Sequence, residues 1–234
     1  METKLLLRNG EQIMLAVVIP LIVLVGGIVA AERVGLDFAH SSVDTLTPGV
    51  LALAIMSTSF TSLAITTGFE RRYGVLKRLG ASPLPRSGLL AGKLGALLFV
   101  ELLQVLVIGT VATVLDWSPS LTPAGLLGAL LFAVLGTAAF ASLGLLIAGS
   151  LRAEATLAAA NLIYLLLLAG GGVVFPISTY GDFGTVLRLL PSGALGSGMR
   201  NTLIEGAIPL GPLLVLAAWT VVGTFATSRT FKWE

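Results

Sequence analysis

Six long apolar stretches, each almost free of charge, constrain this chain more than any other feature. A helix needs about 20 apolar residues to cross a bilayer, and lipid admits only structures that satisfy their own backbone hydrogen bonds. The stretches are too long for strands, so the sequence predicts an all-α membrane protein with six transmembrane helices in one domain, residues 1–234. The predicted spans are approximately 13–31, 47–69, 89–115, 121–149, 155–175 and 209–227.

The composition agrees with a lipid environment. Hydrophobic residues make up 56% of the chain and charged residues only 11%, against about 25% charged in ordinary soluble domains. So few charges could not cover the surface of a soluble protein of this length.

The basic residues predict the orientation of the spans. With the N-terminus in the cytoplasm, only Arg33, Arg188 and Arg200 fall outside, and the other lysines and arginines fall inside. This asymmetry is typical of cytoplasmic loops and predicts a multi-pass protein of the inner (cytoplasmic) membrane with both termini in the cytoplasm. The net charge of +2 therefore gives no reason to expect nucleic acid as a partner.

Three segments fall outside the predicted spans. Met1–Gln12 combines leucines with Lys4 and Arg8 and is predicted to form an amphipathic helix on the membrane surface. Glu70–Lys93 is the most polar stretch and lies inside. Pro176–Gly206 lies outside, and we expect two short re-entrant helices there, which must be buried in protein or line a water-filled cavity.

The residues offer little for catalysis. There is no cysteine, and a single histidine, His40, cannot build a multi-histidine metal site. The stretch Gly88–Leu94 has three residues between its glycines and Leu94 after Lys93, so it lacks the spacing and the hydroxyl of a phosphate-binding loop. We therefore expect no catalytic residue, no metal and no ATPase site in this chain.

Hydroxyl side chains are frequent in the second span. Thr58, Ser62 and Thr66 recur every four residues and so share one helical face. Two interpretations remain open from the sequence. The face either packs closely against another helix through small residues or gives a substrate path a polar lining.

Glu101 is predicted to lie inside the hydrocarbon, about 12 Å along a helix from Lys93. A carboxylate there costs on the order of 2.5–3.5 kcal/mol, so it must be protonated, paired or facing a wet cavity. Gln104 shares its face, and Asn161 and Tyr164 of the fifth span are possible partners. A role in the substrate path and a structural polar contact both remain open.

The polar stretch after the second span resembles the corresponding loop of ABC-2 type transporter permeases, of the daunorubicin exporter kind. The matching residues are Glu70, Arg71, Gly74, Leu76, Leu79, Pro83, Leu84, Gly92 and Lys93. A second resemblance lies between the last two spans, at Phe175-Pro176, Leu190-Pro191, Arg200 and Gly206. The six-span layout and the N-terminal segment also fit, whereas Lys77 stands where the family is often acidic.

The resemblance implies a permease half of an ATP-driven exporter that moves a hydrophobic or amphipathic drug or lipid. Two permease subunits, identical or homologous, would dock on two copies of a separate ATP-binding subunit, which would hold ATP and Mg. Glu70–Ser82 would form the coupling helix. The residues implied in coupling are Glu70, Arg71, Arg72, Tyr73, Gly74, Val75, Leu76, Lys77, Arg78 and Leu79.

Three other classes remain open from the residues alone. A secondary carrier usually has buried ionisable residues and internal repeats, and charge within these spans is sparse. A lipid-modifying intramembrane enzyme would need acids or histidines clustered at one membrane face. A non-transporting membrane assembly protein is the third alternative.

Overall fold

The computed structural model describes residues 10–36, 38–80 and 86–231. These residues form helices, and no strand occurs among them. The helices are α1 (Gly10–Val34), α2 (Ser42–Arg72), α3 (Val75–Gly80), α4 (Arg86–Val114), α5 (Pro123–Ser150), α6 (Ala153–Gly170), α7 (Gly184–Leu187), α8 (Pro191–Arg200) and α9 (Leu210–Thr230). π-Helical turns occur within α2 at Ser57–Ser62 and after α8 at Asn201–Glu205, and a 3-10 turn, Ile177–Phe183, precedes α7.

Six of these helices, α1, α2, α4, α5, α6 and α9, are long and apolar enough to cross a membrane. The all-α class and the six spans predicted from the apolar stretches are thus confirmed. Residues 1–9, which hold most of the predicted surface helix, lie outside the described residues, and Gly10–Gln12 are already the first turn of α1.

The spanning helices alternate between two ends of one bundle. We call the end that holds Glu70–Gly80 and Arg152 the basic end, and the end that holds Pro176–Gly206 the distal end. Local sequence explains several helix boundaries. Ser41 and Thr122 cap α2 and α5 by accepting from the amides of Asp44 and Gly125, each at 3.0 Å.

Helix α2 runs through the centre of the bundle. Every residue from Thr45 to Met56 is buried, and α1, α4, α5 and α8 all pack against α2. Phe60 continues this core and meets the Phe140 ring of α5 edge to face, with ring centroids 6.3 Å apart. A helix this enclosed transmits displacement to its neighbours, because packed interiors compress little.

Helix α9 is held against α5 by a seam of small residues. A Cβ at Gly223 would collide with the Ser142 hydroxyl, so only glycine allows this approach. One turn further, the Thr227 hydroxyl donates to the Ser142 carbonyl at 2.8 Å. The sixth spanning helix is otherwise mostly exposed, so this seam is its main attachment.

The distal end differs from the sequence prediction at the end of the fifth span. The prediction extends to Phe175, but α6 ends at Gly170, and the chain bends through residues 171–175 with Gly172 at a φ of +67°. Positive φ favours glycine, which explains why the glycine run stops the helix. The short helices predicted between the last two spans are present. α8 is almost wholly buried among α2, α5 and α9, and its depth in a membrane stays a prediction.

Arg200 joins these two distal features. The residue is 8% exposed, and its guanidinium donates to the carbonyls of residues 172–175 at 2.9 to 3.2 Å. Gly49 of α2 makes room, because a Cβ there would lie 2.7 Å from the Arg200 nitrogen. Burial lowers the pKa of Arg200 to about 10, so the side chain remains a cation at neutral pH.

Candidate functional site

Three charged residues end α2, and all of them reach other spanning helices. Glu70 accepts from Lys93 of α4 at 2.5 Å in a largely buried ion pair. Arg71 donates to the carbonyls of Gly149 and Leu151 at 2.6 and 2.5 Å, where α5 ends. Arg72 pairs with Glu154 in the first turn of α6. The end of α2 is therefore tied to α4, α5 and α6 at once.

A tight turn separates these anchor residues from α3. Gly74 has a φ of +68°, and its amide donates to the Arg71 carbonyl at 3.1 Å. Among the described atoms, none lies within 4 Å of a Cβ built on Gly74. The sequence allowed either a turn or a close backbone approach here, and the structure supports the turn, because only the left-handed backbone requires glycine.

The residues after the anchors are exposed at the basic end. The Tyr73 side chain is 63% exposed, stacks on Phe69 with ring centroids 6.1 Å apart, and lies under the Arg72 guanidinium. Val75, Lys77 and Arg78 are exposed on α3. The backbones of Leu76 and Leu79 lie in α3, but their side chains, like residues 81–82 at the end of the predicted coupling helix, lie outside the described residues.

Three of the predicted path residues, Thr58, Glu101 and Gln104, form a buried polar cluster in the spans together with Thr137, which was not predicted. Gln104 accepts from the Thr58 hydroxyl of α2 at 3.1 Å and donates to the Ala16 carbonyl of α1 at 2.8 Å. Glu101 Oε2 lies 2.7 Å from the Thr137 hydroxyl of α5. This cluster thus joins four spanning helices.

The remaining polar residues of the predicted path are not part of this cluster. Ser62 and Thr66 follow Thr58 along α2, but both are exposed, whereas Gln104 covers Thr58. Asn161 of α6 is also exposed, and the Tyr164 hydroxyl faces Ser57 at the start of the π-helical turn. The row of hydroxyls therefore changes from a packing contact near mid-span to an open surface toward the basic end.

The structure gives Glu101 a partner other than the two possible ones, Asn161 and Tyr164. Glu101 contacts Thr137, and neither Asn161 nor Tyr164 is bonded to it. No sequence pattern pointed to Thr137, because a lone threonine in an apolar span suggests small-residue packing. Glu154 was also missed, although an acid two residues after Arg152, in the segment predicted to face the same side as Arg72, could have suggested an ion pair.

The described residues do not suggest a metal centre. Across residues 10–36, 38–80 and 86–231, no three histidine or acidic side chains come close enough to hold a metal ion. What the geometry offers is a set of contacts that can carry movement from an exposed segment into several spanning helices.

Comparisons with known proteins agree with this arrangement. The family model described as "ABC-2 family transporter protein" matches residues 37–229. Over 170 residues the chain is 25% identical to "Putative transport permease YvfS" of Bacillus subtilis (strain 168), covering 72% of this chain and 69% of that protein. No solved structure matches this chain significantly. With six spanning helices and a family match over most of its length, the chain belongs to the ABC-2 family and is the membrane-spanning permease component of an ABC transporter.

Proposed function

We propose that this permease is half of an ATP-driven exporter that moves a hydrophobic or amphipathic substrate, a drug or a lipid, out across the cytoplasmic membrane. Two copies of a separate ATP-binding subunit hold ATP and Mg, and a second permease subunit, identical or homologous, completes the pathway. The basic end faces the cytoplasm, with both termini on that side. The family and the excess of basic residues at this end support the proposal.

The proposal rests on one observation: the charged segment at the end of α2 and in α3 has an anchored half and an exposed half. Glu70, Arg71 and Arg72 are engaged with α4, α5 and α6. Tyr73 just before the Gly74 turn, and Val75 and Arg78 after it, are exposed. A subunit that moved α3 would pull on the end of α2 and, through the anchor residues, on three other spans. The exposed half is the docking surface, and the anchored half transmits the motion.

The substrate path in this proposal follows the open surface of α2 and α6. Ser62, Thr66 and Asn161 are exposed polar residues on helices otherwise covered with apolar side chains. Exposed polar groups are unfavourable against lipid, so they are better placed facing a second permease subunit or a wet cavity. The buried Thr58, Glu101 and Gln104 support this surface from within the bundle.

Docking is tested by co-purification with an ATP-binding subunit taken from the neighbouring reading frame. Val75→Asp combined with Arg78→Glu changes only exposed residues of α3, so the permease should insert normally and lose the ATP-binding subunit. Arg188→Glu, an exposed charge reversal at the distal end, is the matched control and should retain it.

Two outcomes would contradict the docking proposal. If the α3 variant retained as much ATP-binding subunit as the wild type, α3 would only anchor the chain to the membrane. If the Arg188→Glu control lost the subunit equally, the effect would reflect general charge or insertion. Transport assays in vesicles then address the direction and the substrate separately.

A further inference from the structure

If Glu101 is ionised, the Thr137 hydroxyl has two acceptor oxygens beside it and only one hydrogen to donate. The Thr137 hydroxyl oxygen lies 2.7 Å from Glu101 Oε2 and 2.8 Å from the Ala133 carbonyl oxygen. A threonine hydroxyl has one hydrogen to donate, and both neighbours would then be acceptors. One of the two short contacts would be left without a hydrogen.

A proton on Glu101 resolves this conflict. With Oε2 protonated, the carboxyl donates to the Thr137 hydroxyl, and that hydroxyl donates to the Ala133 carbonyl, so each contact has its own hydrogen. The remaining oxygen, Oε1, is buried and has no hydrogen-bond partner in the part of the chain that the structure describes. A carbonyl oxygen tolerates this position far better than half of a carboxylate charge would, because an unpaired buried charge is costly.

No counter-ion is available on the helices around Glu101. The sequence of α1 has no ionisable residue between Glu11 and Glu32, α2 has none between Asp44 and Glu70, and α5 has none. Along α4 itself, Lys93 lies two turns away and is paired with Glu70. Tyr164 on α6 faces Ser57. Gln104 is uncharged, and one hydrogen of its amide nitrogen is donated to the Ala16 carbonyl.

We propose that Glu101 is a proton-binding site within the membrane span. While α4 and α5 are in contact, Oε2 holds the proton, which forms a hydrogen bond to the Thr137 hydroxyl oxygen. Movement of α4 away from Thr137 would admit water or another base, and the proton would leave as the carboxylate formed. Protonation therefore favours the closed arrangement of these helices, and alkaline pH opposes it. The proposal does not depend on an ATP-binding subunit or on export.

The direct test is infrared spectroscopy of the purified full chain at neutral pH in a detergent that has no carbonyl group. A protonated carboxyl has a C=O stretching band well separated from those of carboxylates and of the backbone. We expect the wild type to show this band, Glu101→Gln to lack it, and Thr137→Val to keep it at a higher frequency because the hydrogen bond is lost. Glu154→Gln, which removes an exposed carboxylate, should leave the band unchanged.

A neutral-pH wild-type spectrum without the band would overturn the proposal, and it needs no variant to fold. A band that persisted in Glu101→Gln would equally overturn it, because the proton would belong to another group. A second readout is thermal unfolding as a function of pH. The wild type should lose stability relative to Glu101→Gln as the pH rises, because only the wild-type carboxyl must give up its proton. Parallel pH profiles would contradict the assignment.

Discussion

Arg71, in the last turn of α2, donates to the carbonyl of Gly149, in the last turn of α5, at 2.6 Å across 78 positions of sequence. Its second nitrogen bonds the Leu151 carbonyl, so one side chain satisfies two carbonyls that the helix leaves open. A cation at a helix C-terminus also interacts favourably with the helix dipole.

Replacing Arg71 should therefore destabilise the bundle. Arg71→Gln cannot reach both carbonyls and loses the charge, so we expect the free energy of unfolding to fall by about 2 kcal/mol. Arg78→Gln, at an exposed position of the same segment, should change it by less than about 0.5 kcal/mol. Thermal unfolding of the two variants in detergent makes the comparison, and equal melting temperatures would exclude the anchoring role.

Arg200 should tolerate no substitution. Lysine presents a single ammonium group where arginine spreads donors over a planar fork, so Arg200→Lys cannot serve all four carbonyls of residues 172–175. Buried acceptors left without partners should lower stability by at least about 3 kcal/mol. Faster proteolysis of the distal segment would report this loss. Arg188→Lys, at an exposed position, is the control, and similar proteolysis rates for both variants would contradict the prediction.

Substitutions at Gly74 test the effect of backbone conformation separately from the effect of steric crowding. Because the surroundings of a Cβ at Gly74 are open, only its φ of +68° penalises a side chain. We expect Gly74→Val to cost about 1–2 kcal/mol and to weaken retention of the ATP-binding subunit, with Gly74→Asn affected less, since asparagine adopts this backbone more readily. If both variants retained as much ATP-binding subunit as the wild type, the turn would not be essential.

Cysteine labelling can map the proposed path, because the native chain has no cysteine. Ser62→Cys and Thr66→Cys should react with a water-soluble maleimide, whereas Thr58→Cys, covered by Gln104, should not. Leu166→Cys of α6 is the control for a lipid-facing position, because its side chain is exposed but has apolar neighbours. If Ser62→Cys and Thr66→Cys were as unreactive as this control, their face would be lipid-covered.

The same cysteine-free background tests the orientation. Tyr73→Cys lies at the basic end and Thr179→Cys at the distal end. In sealed vesicles of cytoplasm-inside orientation, an impermeant reagent should label Thr179→Cys and spare Tyr73→Cys, and inverted vesicles should reverse the result. The opposite pattern would place the termini outside and remove α3 from the side where ATP is available.

The spans were predictable because their length and lack of charge are local properties of the sequence, and five of the six end within a few residues of the expected positions. At the sixth, the end of α6, the glycine run Gly170–Gly172 is a local signal for a bend, but the path of the bent carbonyls depends on Arg200, which lies at least 25 positions away. The partner of Glu101 was unpredictable for a related reason. Which of six apolar helices presents a hydroxyl to Glu101 depends on helix packing, and Thr137 is 36 positions away.

The close seam between Gly223 and Ser142 has a consequence for biosynthesis. The face of α5 that carries Ser142 is synthesised well before α9, the helix that covers it, and α6 and the short distal helices emerge in between. Until α9 is inserted, the Ser142 surface of α5 is left facing lipid or the insertion machinery. Insertion of the sixth helix is therefore the step that closes the bundle, and a chain halted before it would leave this face of α5 uncovered and open to quality-control proteases.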